Sequence, residues 1–221
     1  SSYTDTTALA GKTYYYTVRA YVGSYYSDFV TAGVKVSISM GTPALKKATV
    51  NTDGTVTITW SQTGGVEGYR VFRKTPGGSW KGLGNTDASE SSYTDTTAAA
   101  GTTYYYTVRA FVGSTYSGYN TTGLKAAVTL QTPALVSAQA VSANSVTINW
   151  EQVGGADGYR VYRKTAGGSW KGLGNADASE SSYTDSTAAA GTTYYYTVRA
   201  MQGSYLSGYN TKGISVQIPA K

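Results

Sequence analysis

In the last third of the chain, apolar and polar residues alternate in short runs separated by glycine. Val146, Ile148 and Trp150 alternate with polar neighbours, the period-two signature of a half-buried strand. Gly154-Gly155 interrupts, and Tyr159 and Val161 then alternate with Arg160 and Tyr162. Ala166-Gly167-Gly168 turns the chain into a short edge strand, Trp170 to Leu173. A polar, acidic stretch from Asn175 to Ser182 precedes a strand around Tyr183. Gly191 opens the longest run, Thr193 to Met201. Tyr194, Tyr196, Val198 and Ala200 share one face, and Tyr195, Thr197 and Arg199 share the other. After Gly203-Ser204, a last strand puts Ile214, Val216 and Ile218 on one face. Pro219, with no N–H for a ladder, ends it. No segment keeps a helical period. About seven short strands with regular turns predict an all-β, immunoglobulin-like sandwich.

The pattern recurs. Ser-Ser-Tyr-Thr-Asp begins at Ser1, Ser91 and Ser181, an offset of 90 residues, and Tyr-Tyr-Tyr-Thr-Val-Arg-Ala follows each copy. Solenoid units run about 20–50 residues, so this period marks whole domains. The expected division is 1–41, 42–130 and 131–221. The linkers Met40-Gly41-Thr42-Pro43 and Leu130-Gln131-Thr132-Pro133 are short and contain proline, which predicts semi-rigid, extended spacing. Residues 1–41 align with the end of a unit. They supply its last three strands (E, F and G) and lack the first three (A, B and C). The tryptophans agree: Trp60, Trp80, Trp150 and Trp170 give two per full unit and none before Pro43. Such a half domain should expose Tyr14, Tyr16 and Val18 and leave open strand edges. Its missing strands come either from further sequence upstream or from a strand-complementing second chain.

Within each full unit the order is Val-x-Ile-x-Trp, then Gly-Tyr-Arg-Val-Phe/Tyr-Arg, then Gly-Thr-Thr-Tyr-x-Tyr-x-Val-Arg-Ala. This resembles the fibronectin type III family. Trp60 and Trp150 match its strand-B core tryptophan. Tyr69, Val71, Tyr159 and Val161 match its strand-C core, and Tyr104 and Tyr194 its corner tyrosine. Ala100 and Ala190 stand where the family usually has proline. The resemblance implies tandem fibronectin type III β-sandwiches with a partial one at the N-terminus. It looks most like modules of bacterial cell-surface or secreted proteins, which implies an extracellular location.

Composition narrows the chemistry. The chain has no cysteine and no histidine. A disulfide framework and a zinc-thiolate site are excluded, and the commonest general base and metal ligand are missing. No cofactor and no catalytic residue set is expected. The net charge of +6 is dispersed, which describes a solvated surface or an acidic wall polymer as partner. No basic helix or recognition motif supports nucleic acid. No apolar stretch is long enough for a membrane-spanning helix. The carboxylates Asp177, Glu180 and Asp185, repeated at Asp87, Glu90 and Asp95, lack the spacing of a calcium loop.

The candidate contact surface is the outer face of the C–F–G sheet. Arg160, Tyr162, Tyr195 and Arg199 form a checkerboard there, repeated by Arg70, Phe72, Tyr105 and Arg109. It reads either as a platform for a glycan or protein or as cross-strand stabilisation. The F–G loop differs between units: Tyr21 to Tyr26, Phe111 to Tyr116, and Met201 to Leu206. Phe111, Tyr116 and Tyr205 there await a cover, from a neighbouring module or a ligand. Trp80 and Trp170 sit in Gly-Gly-Ser-Trp-Lys-Gly-Leu-Gly, offered either to a sugar ring or to the sheet edge. The expected role is a non-catalytic structural spacer in an extracellular bacterial repeat protein, its partners being neighbouring modules. The alternatives are an adhesion array for cell-wall polymer, glycan or host protein, and accessory modules of a carbohydrate-active enzyme.

Overall fold

The computed structural model describes residues 1–220, and among them strands and turns form but no helix. The chain divides into two compact units. One comprises Ser1–Ala48, Thr57–Thr94 and Tyr104–Ala126. The other comprises Thr49–Val56, Asp95–Thr103 and the chain from Ala127 onward. The first four strands are β1 (Thr13–Tyr16), β2 (Tyr21–Val22), β3 (Tyr25–Tyr26) and β4 (Val34–Ser37). Next come β5 (Leu45–Val50), β6 (Val56–Trp60), β7 (Gly68–Lys74), β8 (Lys81–Asp87), β9 (Ser92–Asp95), β10 (Thr103–Val112), β11 (Thr115–Tyr116) and β12 (Leu124–Ala127). The last eight are β13 (Leu135–Ser142), β14 (Ser145–Trp150), β15 (Gly158–Thr165), β16 (Lys171–Asp177), β17 (Ser182–Asp185), β18 (Thr193–Gln202), β19 (Tyr205–Leu206) and β20 (Ile214–Gln217).

The same sheets form twice. β13-β14-β17 make a three-stranded sheet, and β16-β15-β18 make a second, with β19 and β20 both pairing β18. Ninety residues upstream the orders are β5-β6-β9 and β8-β7-β10, with β11 and β12 on β10. This is the A-B-E and C′-C-F-G arrangement of the predicted sandwich. β15 and β18 run antiparallel over the longest register, from Gly158↔Met201 to Thr165↔Tyr194. That register turns Tyr159, Val161, Tyr196, Val198 and Ala200 inward to meet Val146, Ile148 and Trp150, all at 2% exposure or less. The Trp150 and Tyr159 rings meet at 5.3 Å, and their upstream copies Trp60 and Tyr69 at 5.4 Å. Burial of each such side chain stabilises by about 1.5–3 kcal/mol. The Trp150 indole N–H has no partner, which offsets part of that gain by about 1–3 kcal/mol.

The core tyrosines keep their hydroxyls satisfied. Tyr159 Oη accepts from the Val153 N–H at 2.7 Å, and Tyr194 Oη accepts from the Ala189 N–H at 3.3 Å. The latter bond ties the E–F turn to strand F, as a corner tyrosine does. The Tyr196 hydroxyl donates to Asp185 Oδ2 at 2.8 Å. Asp185, 2% exposed, also accepts from the Thr187 N–H and hydroxyl, and from Arg163 Nη1 at 2.6 Å. Arg163 in turn lies 4.4 Å over the Tyr194 ring. Two sheets are thereby joined by one polar knot: Asp185 on strand E, Arg163 on C and Tyr196 on F.

Two details depart from the alternation pattern. β16 runs Lys171–Asp177, longer than Trp170 to Leu173 and into the stretch read as polar loop. Its glycines hide the period: Gly174 has Tyr183 packed on it, with the hydroxyl 2.6 Å from where a Cβ would stand. In residues 1–41, strand F is broken into β1, four residues long, and β2, two residues long, against an unbroken ten for β10 and β18. Ser2–Asp5, the copy of β9 and β17, forms no strand.

Burial raises the Asp185 carboxyl, but the Thr187, Tyr196 and Arg163 contacts outweigh it and hold it below the usual carboxylate range. A depressed folded-state value means that the unfolded chain binds more protons as acid is added. The contribution of Asp185 is therefore complete above about pH 4–5 and drains away as pH falls through the lowered value. Asp185→Ala, which leaves Arg163 and Tyr196 uncompensated, should cost about 3–5 kcal/mol in urea titrations at pH 7. The variant should also show a flatter fall in stability below pH 4.

Candidate functional site

The outer face of the C–F–G sheet is where side chains of mixed chemistry converge. Strand alternation turns Arg160, Tyr162 and Lys164 of β15 outward beside Tyr195, Thr197 and Arg199 of β18, in the register Arg160↔Arg199, Tyr162↔Thr197 and Lys164↔Tyr195. A shallow cleft of about 120 Å³ lies there, lined by Tyr162, Trp170, Thr197, Arg199 and Tyr209. Its upstream copy, about 90 Å³, is lined by Phe72, Trp80, Thr107, Arg109 and Tyr119.

Each cation on this face is already engaged. Lys164 Nζ lies 4.7 Å from the Trp170 ring and 5.7 Å from Tyr195. Arg199 Nε donates to the Ser207 carbonyl at 2.6 Å, and its Cζ lies 5.5 Å over Tyr209. Trp170 and Tyr209 meet edge-on at 6.2 Å. Arg160 lies 5.8 Å over Tyr162. The upstream unit repeats the plan, with Lys74 over Trp80 and Tyr105, and Arg109 over Tyr116 and Tyr119. There Arg70 Nη1 also donates to the Tyr116 hydroxyl at 3.2 Å. The result is a cation–aromatic ladder running from the C–C′ turn across F to the F–G loop. Each such contact stabilises by about 0.5–1 kcal/mol at an exposed site.

Thr197 is buried beneath the ladder, where its hydroxyl donates to the Asn210 carbonyl at 3.0 Å. Trp170 lies against the backbone of the F–G loop. A Cβ at Gly213 would stand 2.6 Å from Trp170 Cη2 and 2.7 Å from the Tyr196 carbonyl, and the backbone there has φ +72°. Gly123 and Trp80 repeat this packing. The indole is therefore seated on the chain, half-buried, rather than offered to solvent.

The sequence-predicted residues thus fall into groups. Tyr162, Trp170 and Arg199, like Phe72, Trp80 and Arg109, meet in the clefts. Tyr195 and Tyr105 stack on the neighbouring lysines, and Arg160 stays on Tyr162. Phe111 and Tyr116 pair at 6.1 Å across the β10–β11 hairpin. Tyr205 stands apart: within the second unit its ring lies against Gly101, and Gln202 Oε1 accepts from the Ala100 N–H at 2.6 Å. Sequence reasoning missed Tyr209 and Tyr119, which lie in irregular loop with no alternation to flag them. It also missed Arg163, because the Asp185 it serves is far away in sequence.

The carboxylates make no metal centre: no group of three ligating side chains that could hold an ion occurs among the described residues. Asp177 and Glu180 close their own turn, the Asp177 N–H donating to Glu180 Oε2 at 2.7 Å. The clefts are smaller than the roughly 300–1,000 Å³ typical of small-molecule pockets.

Comparison with known proteins agrees with this geometry. Residues 131–215 match the family model of the fibronectin type III domain. Exoglucanase B of Cellulomonas fimi is 34% identical over 189 residues, a match covering 77% of this chain and 15% of that protein. A poly(3-hydroxybutyrate) depolymerase of Delftia acidovorans is 33% identical over 108 residues, covering 49% of this chain and 21% of that protein. The chain thus spans a small fraction of either relative. Among solved structures, a two-fibronectin-type-III-domain segment of chicken tenascin superposes with a TM-score of 0.54 at 20% identity, covering 79% of this chain and 98% of that one.

The seating of Trp170 on Gly213 is testable. Gly213→Ala should destabilise by more than about 1 kcal/mol, through left-handed backbone and collision together. Gly167→Ala, also at positive φ but with nothing within 4 Å, should cost less. Thermal denaturation of the two variants checks the order. The sheet order, the corner tyrosine and the family match make this chain a tandem of fibronectin type III domains.

Proposed function

We propose that the chain is a non-catalytic spacer within a longer, secreted bacterial enzyme that acts on a polymer. Residues 42–130 and 131–221 are its full modules, and 1–41 contribute the last three strands of another. The observation that carries this reading is the pair of relatives. One is named for a glucan-cleaving activity and the other for poly(3-hydroxybutyrate), yet each matches part of this chain at similar identity, over 189 residues in the first and 108 in the second. The matched stretch accounts for a minor share of each protein. A segment indifferent to the polymer being degraded does positional work rather than chemistry.

The ladder supports the same reading. Its cations and aromatic rings are spent on one another, and its clefts are shallow. A glycan platform keeps its rings open to the ligand. The absence of histidine and cysteine from the sequence leaves no familiar nucleophile–base pair.

The test is co-sedimentation of the 221-residue chain with insoluble cellulose, poly(3-hydroxybutyrate) granules and bacterial cell wall. The chain should stay in the supernatant with all three, and should release no soluble product from any. Retention on one polymer that disappears in Tyr162→Ala or Tyr205→Ala would replace the spacer by an adhesion module.

A further inference from the structure

The F–G hairpin is where the repeats differ most, and in both full modules it lies against the E–F turn of the repeat before it. Within the first unit that turn runs from Ala8 to Lys12. Ala10 is 2% exposed, in a segment whose other residues are half-buried or exposed. Its cover is the B–C turn of the following repeat. The Ala10 N–H donates to the Gly65 carbonyl at 2.7 Å, and a Cβ at Gly65 would stand 3.2 Å from the Ala10 nitrogen. Thr115, at the tip of the F–G hairpin, comes within 3.5 Å of where a Gly11 Cβ would stand.

Within the second unit the copies of these two groups are the Ala100 N–H and the Gly155 carbonyl, and Gln202 stands between them. Its Oε1 accepts from the Ala100 N–H at 2.6 Å, and its Nε2 donates to the Gly155 carbonyl at 2.9 Å. The reverse orientation of the carboxamide would set donor against donor and oxygen against oxygen, so the side chain fits one way only. The residue at this place in the first unit is Val112, 1% exposed, with no polar group to insert. Tyr205 completes the seat, its Cδ2 lying 2.6 Å from where a Gly101 Cβ would stand. Both hairpins are held ready by a carboxylate of their own module. The Gly203 N–H donates to Asp157 Oδ2 and the Gly113 N–H to Glu67 Oε2, each at 2.7 Å. A contact element fixed in advance loses less freedom on docking.

We propose that the F–G hairpin is the element by which each full module docks on the E–F turn of the repeat before it, and that its residue at position 112 or 202 selects how the two turns meet. Under valine they bond directly. Under glutamine they bond through an inserted carboxamide. The change from Val112 and Thr115 to Gln202 and Tyr205 then specifies a neighbour rather than a ligand. Such docking serves the spacer function proposed above by denying the joint a free hinge. Its test involves no polymer, so docking and spacing can fail separately.

The test uses the full 221-residue chain. Exchange of the Ala10 and Ala100 amides is followed by NMR, and proteinase K cleavage in the linker Leu130-Gln131-Thr132-Pro133 is timed under native conditions. In the unmodified chain both amides should be protected and the linker should be cut slowly. Gln202→Ala should speed Ala100 exchange about tenfold, as loss of one hydrogen bond does, and leave Ala10 unchanged. Gln202→Val should restore protection at Ala100, because the turns can then close on the direct bond found at Ala10. Tyr205→Ala should speed linker cleavage by a similar factor. Four results would overturn the proposal. The first is an Ala100 amide that exchanges freely in the unmodified chain. The second is a Gln202→Ala chain whose exchange and cleavage are unchanged. The third is Gln202→Val behaving as Gln202→Ala does, which would mean that the position selects nothing. The fourth is Gln202→Ala speeding exchange equally at Val198 and Ala200, which would make Gln202 a support of its own module's core instead of a docking residue.

Discussion

Strand C beside strand F is the pairing on which the structure depends. Where β15 or β7 is present, strand F runs unbroken for ten residues. Where it is missing, in residues 1–41, an almost identical sequence splits into β1 and β2 with irregular chain between. The side chains of Tyr-Tyr-Tyr-Thr-Val-Arg-Ala are the same in all three places, so local propensity does not decide the outcome. The ladder partner does, by satisfying backbone groups that would otherwise look to water. Both faces follow from it. The inner face receives Trp150 and Val146, and the outer face brings Tyr162 and Arg199 together.

The three consecutive tyrosines show how one residue type serves different ends. Tyr194 uses its hydroxyl to hold the E–F turn, Tyr195 offers its ring to Lys164, and Tyr196 carries its hydroxyl through the core to Asp185. A phenol suits all three because it buries a large apolar body while keeping one polar end. The knot at Asp185 takes a charge out of water, which is costly unless every lone pair is met. Here Thr187, Tyr196 and Arg163 meet them. The donors come from two strands and a turn and meet an acceptor on a third strand, so the knot forms only when both sheets are in register.

Much of this was legible in the sequence. Strands B, C, F and G announced themselves by alternation, and the family motif ordered them. The corner role of Tyr194 and the burial of Tyr159 and Val161 follow from the same pattern. Strand C′ was read too short because Gly172 and Gly174 carry no side chains to alternate. Ser2–Asp5 repeats the sequence of strand E at Ser92–Asp95, yet extended structure there depends on a neighbour that residues 1–41 lack. The surface was harder to read. Tyr162 and Arg199 were identified, but Tyr209 lies in loop, and Trp170 is seated by Gly213, a position that sequence alone marks only as a turn. Pairs such as Arg163 and Asp185 join distant strands and leave no local trace.

The near-identity of the F strands has a consequence for how the chain reaches this state. While unfolded, every strand C faces three chemically equivalent strands F, and side-chain chemistry alone scarcely separates correct from incorrect pairing. Loop length is what remains. Closing Val71 onto Val108 spans a loop roughly a third as long as closing it onto Val198, an entropic preference of about 1 kcal/mol. So small a bias makes crossed pairing between modules a hazard of assembly, as in other arrays of similar neighbours. Synthesis from the N-terminus removes the downstream competitor, because β7 meets its own strand F, β10, before β18 exists, while the strand F of residues 1–41 is already present. The order in which the ribosome releases the strands is thus part of the information that keeps the repeats distinct.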